Sequence, residues 1–312
     1  MFTPNWCHAA AVQMHPGQLS VSPRAVGTLI AQQFPQWAGL PIQSVSSAGT
    51  VNAIFRVGDN VVARFPLQPS DDIEAVRHEL ELEASAAEEL SGRTPVATPT
   101  PLGIGQPGAG YPLPWSVYTW LPGYPATADS CSQFDSFAMD LAEFILAVRA
   151  IDTRGRTYDG SGRGGDLASH DEWIELCLVN SEGLLDVPSL RGIWDQVRAL
   201  PRGNTPDVMN HGDLIPPNVL TVDGCLTGIL DVSGFKAADP ALDLVGAWHL
   251  LDAPRRELLR NHLGCDDEEW HRGRGWAFQQ AMGAVWYYVD SNPIMSTNCR
   301  RTLERIQADI EA

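Results

Sequence analysis

Three oxygen-bearing side chains in one stretch of this sequence have the types and spacing to do chemistry together. They are Asp213, Asn218 and Asp231, set in His211-Gly-Asp-Leu-Ile-Pro-Pro-Asn218 and in Gly228-Ile-Leu-Asp231. The reaction such a set suits is phosphoryl transfer. That reaction leaves a protein little covalent work; it must hold a hydroxyl in line with phosphorus and neutralise the phosphate oxygens. Mg²⁺ prefers hard oxygen ligands, commonly one or two carboxylates completed by phosphates and water. A further carboxylate must stay free to accept the hydroxyl proton.

The local sequence says how these groups would meet. Asp223-Gly224, within Thr221-Val-Asp-Gly-Cys-Leu-Thr227, is a strong two-residue turn between the flanking strand-forming runs. A hairpin there would bring Asn218 and Asp231 to one end, on opposite strands, with Asp213 on the loop that leads in. Each feature alone is ordinary, since an Asp before prolines is usually a turn or cap residue. The ordered combination carries the reading.

The elements that must position this stretch follow from patterning. Ser22-Pro23 opens a helix that runs to Phe34, and strand character recurs over Ile42–Val45, Asn52–Val57 and Val61–Phe65. The Glu-, Ala- and Leu-rich run Asp71–Leu90 predicts a long helix, and strands follow near Leu102–Gly105 and Ser116–Leu121. Helical periodicity then dominates over Phe134–Ala150, Asp171–Val179, Pro188–Ala199, Asp243–Leu251 and Asp267–Val289. The glycine-rich Thr157–Gly165 reads as a flexible loop. The expected fold class is therefore α+β: an antiparallel β-rich lobe over residues 1–121, with a helix at 22–34, then a helical lobe over 122–312.

With these motifs in view, the sequence resembles the aminoglycoside phosphotransferase superfamily of antibiotic and small-molecule kinases. His211-Gly-Asp-Leu-x-x-x-Asn218, Ile229-Leu-Asp231 and Asp239-Pro-Ala-Leu-Asp243-Leu carry the resemblance, which covers roughly residues 40–290. It implies a protein-kinase-like bilobal fold, ATP or GTP with Mg²⁺ as cofactors, and a hydroxylated small molecule, most simply an aminoglycoside, as acceptor. Asp213 would be the catalytic base, Asn218 and Asp231 the metal ligands, and His211, Asp239 and Asp243 the support of the catalytic loop. Arg64 would meet the phosphates, paired with Glu83 or, one turn earlier, Glu79. Ser47, Gly49 and Thr50 would form a loop over the phosphates, and Tyr118–Leu121, Trp120 included, the hinge facing the base. Two departures stand out: Ile215 where many relatives have His, and Val232-Ser233 where Trp-Gly is common.

For a polycationic acceptor the pocket needs carboxylates and aromatic walls. Asp266, Asp267, Glu268 and Glu269 are candidates, with Trp276, Gln280, Gly283 and Tyr287 on the following helix. An acidic first turn also simply suits a helix dipole. Macrolides, metabolite alcohols and a catalytically silent nucleotide-binding role stay open as alternatives.

Composition excludes more than it selects. A formal net charge of −17 over 312 residues argues against nucleic acid as partner. Gly103-Ile-Gly-Gln-Pro-Gly108 matches a dinucleotide fingerprint in letters, yet Pro107 and the prolines after it forbid the helix that fingerprint needs. Six scattered cysteines without CxxC spacing fit reduced thiols and a cytoplasmic setting. No basic-then-apolar leader and no membrane-length apolar run is evident.

Overall fold

A computed structural model describes residues 17–45, 51–127 and 131–311. Helix α1 (Pro23–Gln33) begins where Ser22 accepts the Ala25 N–H at 3.2 Å, with Pro at its first position. It lays Val26, Leu29 and Ile30 on an antiparallel sheet of five strands: β1 (Ile42–Val45), β2 (Asn52–Val57), β3 (Val61–Pro66), β4 (Pro101–Gly105) and β5 (Trp115–Thr119). Their spatial order is β1-β2-β3-β5-β4. Alternation places Val61, Ala63 and Phe65 of β3 inward, where Phe65 stacks on Trp115 at 4.8 Å between centroids. Helix α2 (Ile73–Leu90), capped by Asp72, crosses beside β4 and β5. Gly103–Gly108 is the end of β4 and a turn, with no helix behind it.

The rest is mainly helical. After β6 (Tyr124–Pro125) come α3 (Asp135–Arg149), α4 (Asp171–Asn180) and α5 (Val187–Val197). Three short β pieces, β7 (Val208–Asn210), β8 (Val219–Val222) and β9 (Cys225–Ile229), lead to β10 (Lys236–Ala238), which pairs back onto β7. Helices α6 (Val245–Leu250), α7 (Ala253–Leu263), α8 (Asp267–Tyr287) and α9 (Pro293–Glu311) complete the chain. The fold is thus the protein-kinase-like α+β arrangement expected, an antiparallel sheet beside a large helical part. Its apolar interior falls into two clusters. One lies under the sheet around Phe65 and Trp115, and the other fills the helical part around Trp248, Trp276 and Phe278.

Several expected elements differ. The helix expected over Asp243–Leu251 is a tight turn, Pro240–Leu244, followed by the six residues of α6. Asp239 caps that turn by accepting the Ala241 N–H at 3.0 Å. Helices α7 and α9 have no counterpart in the sequence reading. Residues 157–165 are a loop as expected, and hydrogen bonds tie it to the rest of the chain. The Tyr158 N–H donates to Asp207 at 2.8 Å, its hydroxyl to the Gly162 carbonyl at 2.7 Å, and the Asp239 N–H to the Gly164 carbonyl at 3.0 Å. Among the described residues no helix is long and apolar enough to cross a membrane.

One packing detail predicts a pH response. His249, at the end of α6, is buried with Nδ1 2.9 Å from the Thr302 hydroxyl of α9. Burial, reinforced by the charges of Arg163 and Arg305, pushes its imidazole down to about 3. An unfolded histidine titrates near ~6.5, so from there downward the unfolded chain gains a proton that the folded one refuses. The residue's contribution is intact above that pH and drains away as pH falls toward 3. By pH ~5 the loss amounts to about 2 kcal/mol. His249→Gln should flatten the drop in denaturation midpoint between neutral and pH ~5; curves parallel to wild type would refute the assignment.

Candidate active site

The Asp223-Gly224 turn has both φ angles positive, 51° and 78°, as a type I′ hairpin requires. Strands β8 and β9 pair from Val219 opposite Ile229, and the Leu230 N–H donates to the Asn218 carbonyl at 2.7 Å. This register sets Asn218 and Asp231 at the same end of the hairpin. The Ile229 N–H donates to the Ala97 carbonyl at 2.9 Å, tying the hairpin to the extended connection after α2.

The Asp213 carboxylate is held from three sides. Asn218 donates through Nδ2 to Asp213 Oδ2 at 2.7 Å and to the Asp213 carbonyl at 3.0 Å. Arg163 donates to Oδ1 at 2.9 Å, and Gln280 of α8 donates to the same oxygen. The loop beneath is fixed by Asp243, whose two oxygens accept the N–H groups of His211 and Gly212 at 2.7 Å each. Burial lifts the Asp243 carboxyl above its ordinary value, with those two backbone donors opposing it. His211 spans the motif: its Nε2 lies 3.1 Å from the Leu230 carbonyl and its Nδ1 accepts the Asp213 N–H at 3.3 Å. Gly212 has φ +82°, and a Cβ there would come within 2.7 Å of the Gly234 carbonyl oxygen, so only glycine fits this crossing.

Asp231 sits in the left-handed region at φ 58°, uncommon outside glycine but tolerated by Asp. Ser233 bonds back to its Oδ1 through the hydroxyl at 2.7 Å and the N–H at 3.3 Å. The departure Val232-Ser233 therefore supplies a hydroxyl that orients the carboxylate. Burial pushes the Asp231 carboxyl up, but the Arg64 charge and the two Ser233 donors outweigh it, leaving it below the usual carboxylate range. No group of three or more His, Cys, Asp or Glu converges as a metal site among the described residues. An Asn–Asp pair of oxygens is nonetheless the kind of partial set Mg²⁺ takes when phosphates and water complete its shell. The residues present fit that ion.

Above this end, Arg64 of β3 pairs with Glu83 of α2, with its guanidinium 5.4 Å from the Tyr118 ring centroid. Of the two glutamates considered, Glu83 is the one in contact. Tyr118 itself is a buried residue of β5, paired with Val62 and Pro101. The N–H groups of Thr119 and Trp120 are spent on the Thr100 and Asn60 carbonyls at 2.9 and 2.8 Å, and the Trp120 ring lies 5.0 Å from Arg56. Ser47, Gly49 and Thr50 lie outside the described residues.

The expected substrate residues divide. Asp266 is the cap of α8, accepting the Glu269 N–H at 2.8 Å, and Asp267 pairs with Arg260. That acidic turn is about 20 Å along the helix from Gln280. Trp276 is fully buried in the core. By contrast, Gln280 reaches Asp213, and Tyr287 lines a cavity of about 640 Å³ beside it. Arg163, His170, Trp173, Lys236 and Gln279 also line it, and the sequence reading had none of them. Arg163 had a weak signal, an arginine inside a glycine-rich loop; Lys236 had none. Another cavity, of about 350 Å³ under Leu184, Arg300 and Leu303, holds no residue of this site.

Comparison with known proteins gives the chain a family and a fold. The sequence profile of the phosphotransferase enzyme family, abbreviated APH, matches residues 43–276. No curated protein matches. Among solved structures, the GDP and kanamycin complex of APH(2")-IIIa aligns with TM-score 0.66 at 22% identity, covering 91% of this chain and 98% of that one. The apoenzyme of macrolide 2'-phosphotransferase MphH from Brachybacterium faecium aligns with TM-score 0.57 at 19% identity, covering 90% and 97%. ADP-bound APH(2'')-Ib gives 0.58 at 14%, covering 93% and 99%. A profile spanning three-quarters of the sequence, on a fold shared with these kinases, settles the matter: the chain belongs to the phosphotransferase enzyme family.

Proposed function

We propose that this chain is a Mg²⁺-dependent O-phosphotransferase that moves the γ-phosphoryl of ATP or GTP to a hydroxyl of a small molecule. The observation that carries the proposal is the convergence of Asp213, Asn218 and Asp231 at one end of a hairpin, with the charge of Arg64 acting on Asp231 from the sheet. Arg64 and Glu83 would clamp the nucleotide phosphates. Asn218 and Asp231 would hold Mg²⁺, which when bound neutralises charge on the phosphate oxygens. Asp213 would receive the acceptor's hydroxyl hydrogen bond and take its proton as the acceptor oxygen bonds to the γ-phosphorus. The bond from that phosphorus to the bridging oxygen breaks, and a nucleoside diphosphate leaves. Arg163, Gln280 and Asn218 keep the base aimed.

The acceptor class has two readings. Solved relatives with kanamycin, gentamicin and streptomycin bound favour an aminoglycoside. The cavity beside Asp213 favours a natural-product alcohol instead, because Trp173 and Tyr287 line it and the acidic turn expected to meet a polycation is remote. Incubating the protein with Mg-ATP or Mg-GTP and a panel of aminoglycosides, macrolides and other hydroxylated compounds tests both, read as mass gain of one phosphate. No phosphorylated product from any acceptor would end the kinase reading.

The clamp makes its own prediction. Arg64→Ala should weaken nucleotide binding by about 10- to 100-fold, the worth of a charge-assisted hydrogen bond. Glu83→Ala should do so less, because Arg64 keeps its charge. Calorimetric titration with nucleotide checks this, and unchanged affinity in Arg64→Ala would remove that residue from the site.

A further inference from the structure

The protein as a whole is strongly acidic, with 38 Asp and Glu against 21 Lys and Arg. Its acceptor cavity is the reverse. Arg163 and Lys236 both line it and His170 lies with them; apart from the base Asp213, held at its edge by Arg163 and Gln280, no carboxylate lines it among the described residues. Lys236 is moreover the one lysine of the sequence; every other basic side chain of the Lys and Arg count is arginine. It stands at the start of β10, just past Asp231, and donates to the Ser161 carbonyl at 2.7 Å with its ammonium 5.1 Å from the Tyr158 ring centroid. An ammonium has three donors, so that contact leaves others for a ligand. The carboxylate that acts on it, Asp159, is exposed and taken up by Ser161, whose N–H and hydroxyl it accepts at 2.9 and 2.8 Å. Arg163 is paired with Asp213, so of the two cations that line the cavity Lys236 is the one not committed to the base. Trp173 and Tyr287 offer the cavity flat apolar surface.

From this juxtaposition we infer that the acceptor is a hydroxylated compound with a flat apolar body and an anionic group, a carboxylate or phosphate ester, that seats on Lys236. The inference rests on the phosphotransferase reading and names its substrate class. Arg163 is already paired with Asp213, so a polycation placed here would meet the Lys236 ammonium as a like charge, a cost several-fold larger in a recessed site than in water. Lys236 serves recognition and stands outside the chemistry; the transfer step is the one given above.

The test uses matched aryl-alkyl alcohols that differ only in a pendant carboxylate, phosphate ester, neutral amide or ammonium. Binding to the full-length protein with a non-hydrolysable nucleotide and Mg²⁺ is measured by calorimetry, and phosphorylation in parallel with Mg-ATP and Mg-GTP. An anionic member should bind at least tenfold tighter than the amide, and the ammonium member weakest; which anion leads identifies the source. Lys236→Glu should reverse that order, Lys236→Met should level it, and Lys236→Arg should keep it, all with unchanged nucleotide affinity. An ammonium member that binds as well as the anions overturns the inference, as does the absence of binding by all four. A Lys236→Glu variant that slows every acceptor equally also overturns it, since the lysine would then serve the transferred phosphoryl. Failure of the kinase reading looks different: the anionic preference persists in binding while no acceptor gains phosphate.

Discussion

Asp213→Asn should lower kcat by about 10³-fold or more while nucleotide affinity stays within a few-fold of wild type. A positioned general base contributes 10²- to 10⁴-fold, and an amide at this position keeps the volume and an oxygen for Arg163 and Gln280 but cannot take the hydroxyl proton. Asp213→Ala is the harsher probe. It strips the acceptor from Arg163, Gln280 and Asn218 together, so part of its effect would come from disorder around the base. Gln280→Leu separates the two contributions. It removes one positioning contact and leaves the carboxylate, so kcat should fall by a smaller factor, about tenfold, with acceptor KM moving more than nucleotide KM. Steady-state kinetics on the three variants, with calorimetric nucleotide titration, gives the comparison. A kcat for Asp213→Asn within tenfold of wild type would remove the residue from its assigned role.

What could be read from the sequence was what local chemistry determines. Asp223-Gly224 specifies its turn, Ser22-Pro23 its helix start, and alternation in Val61–Phe65 its buried face, because each depends on neighbours a few residues apart. The catalytic stretch was legible for the same reason: Asp213, Asn218 and Asp231 are joined by one hairpin and need no distant partner to meet. Long-range partners were not legible. Arg163 lies fifty positions before Asp213 and Gln280 sixty-seven after it, and no periodicity announces either contact. Trp276 and Gln280 lie one turn apart on α8, yet one is core and the other touches the base, because α8 is surrounded and its faces cannot be told apart by hydropathy. Helix α9 was missed for its polar composition, though Cys299, Leu303 and Ile306 recur at helical spacing and are buried. The acidic turn is open to two readings in the sequence, recognition or helix capping, and only the folded chain shows that Asp266 caps α8 and Asp267 pairs with Arg260.

The largest stability effect should come from Arg272. Its guanidinium donates to both oxygens of Asp239, Nε at 2.8 Å and Nη2 at 3.2 Å, and both side chains are almost wholly buried, at 4% and 0% exposure. Burying two ions costs several kcal/mol each, and their attraction repays this only while both are present. Arg272→Met leaves the Asp239 carboxylate buried with little beyond the Ala241 N–H to satisfy it, and should cost about 3–5 kcal/mol. For a protein of ordinary stability that is a third or more of the total, and Tm should drop by on the order of 10 °C. Pairing Arg272→Met with Asp239→Asn removes the stranded charge, so the double variant should recover part of the loss, as single changes at an exposed ion pair would not. Activity should follow stability here, because Asp239 directly follows the strand β10 that pairs with β7, the strand running into His211 and Asp213. Assayed well below its melting point, Arg272→Met should therefore keep most of its kcat, in contrast to Asp213→Asn. If the single and double variants melt at the same temperature, the buried charge is not what Arg272 compensates.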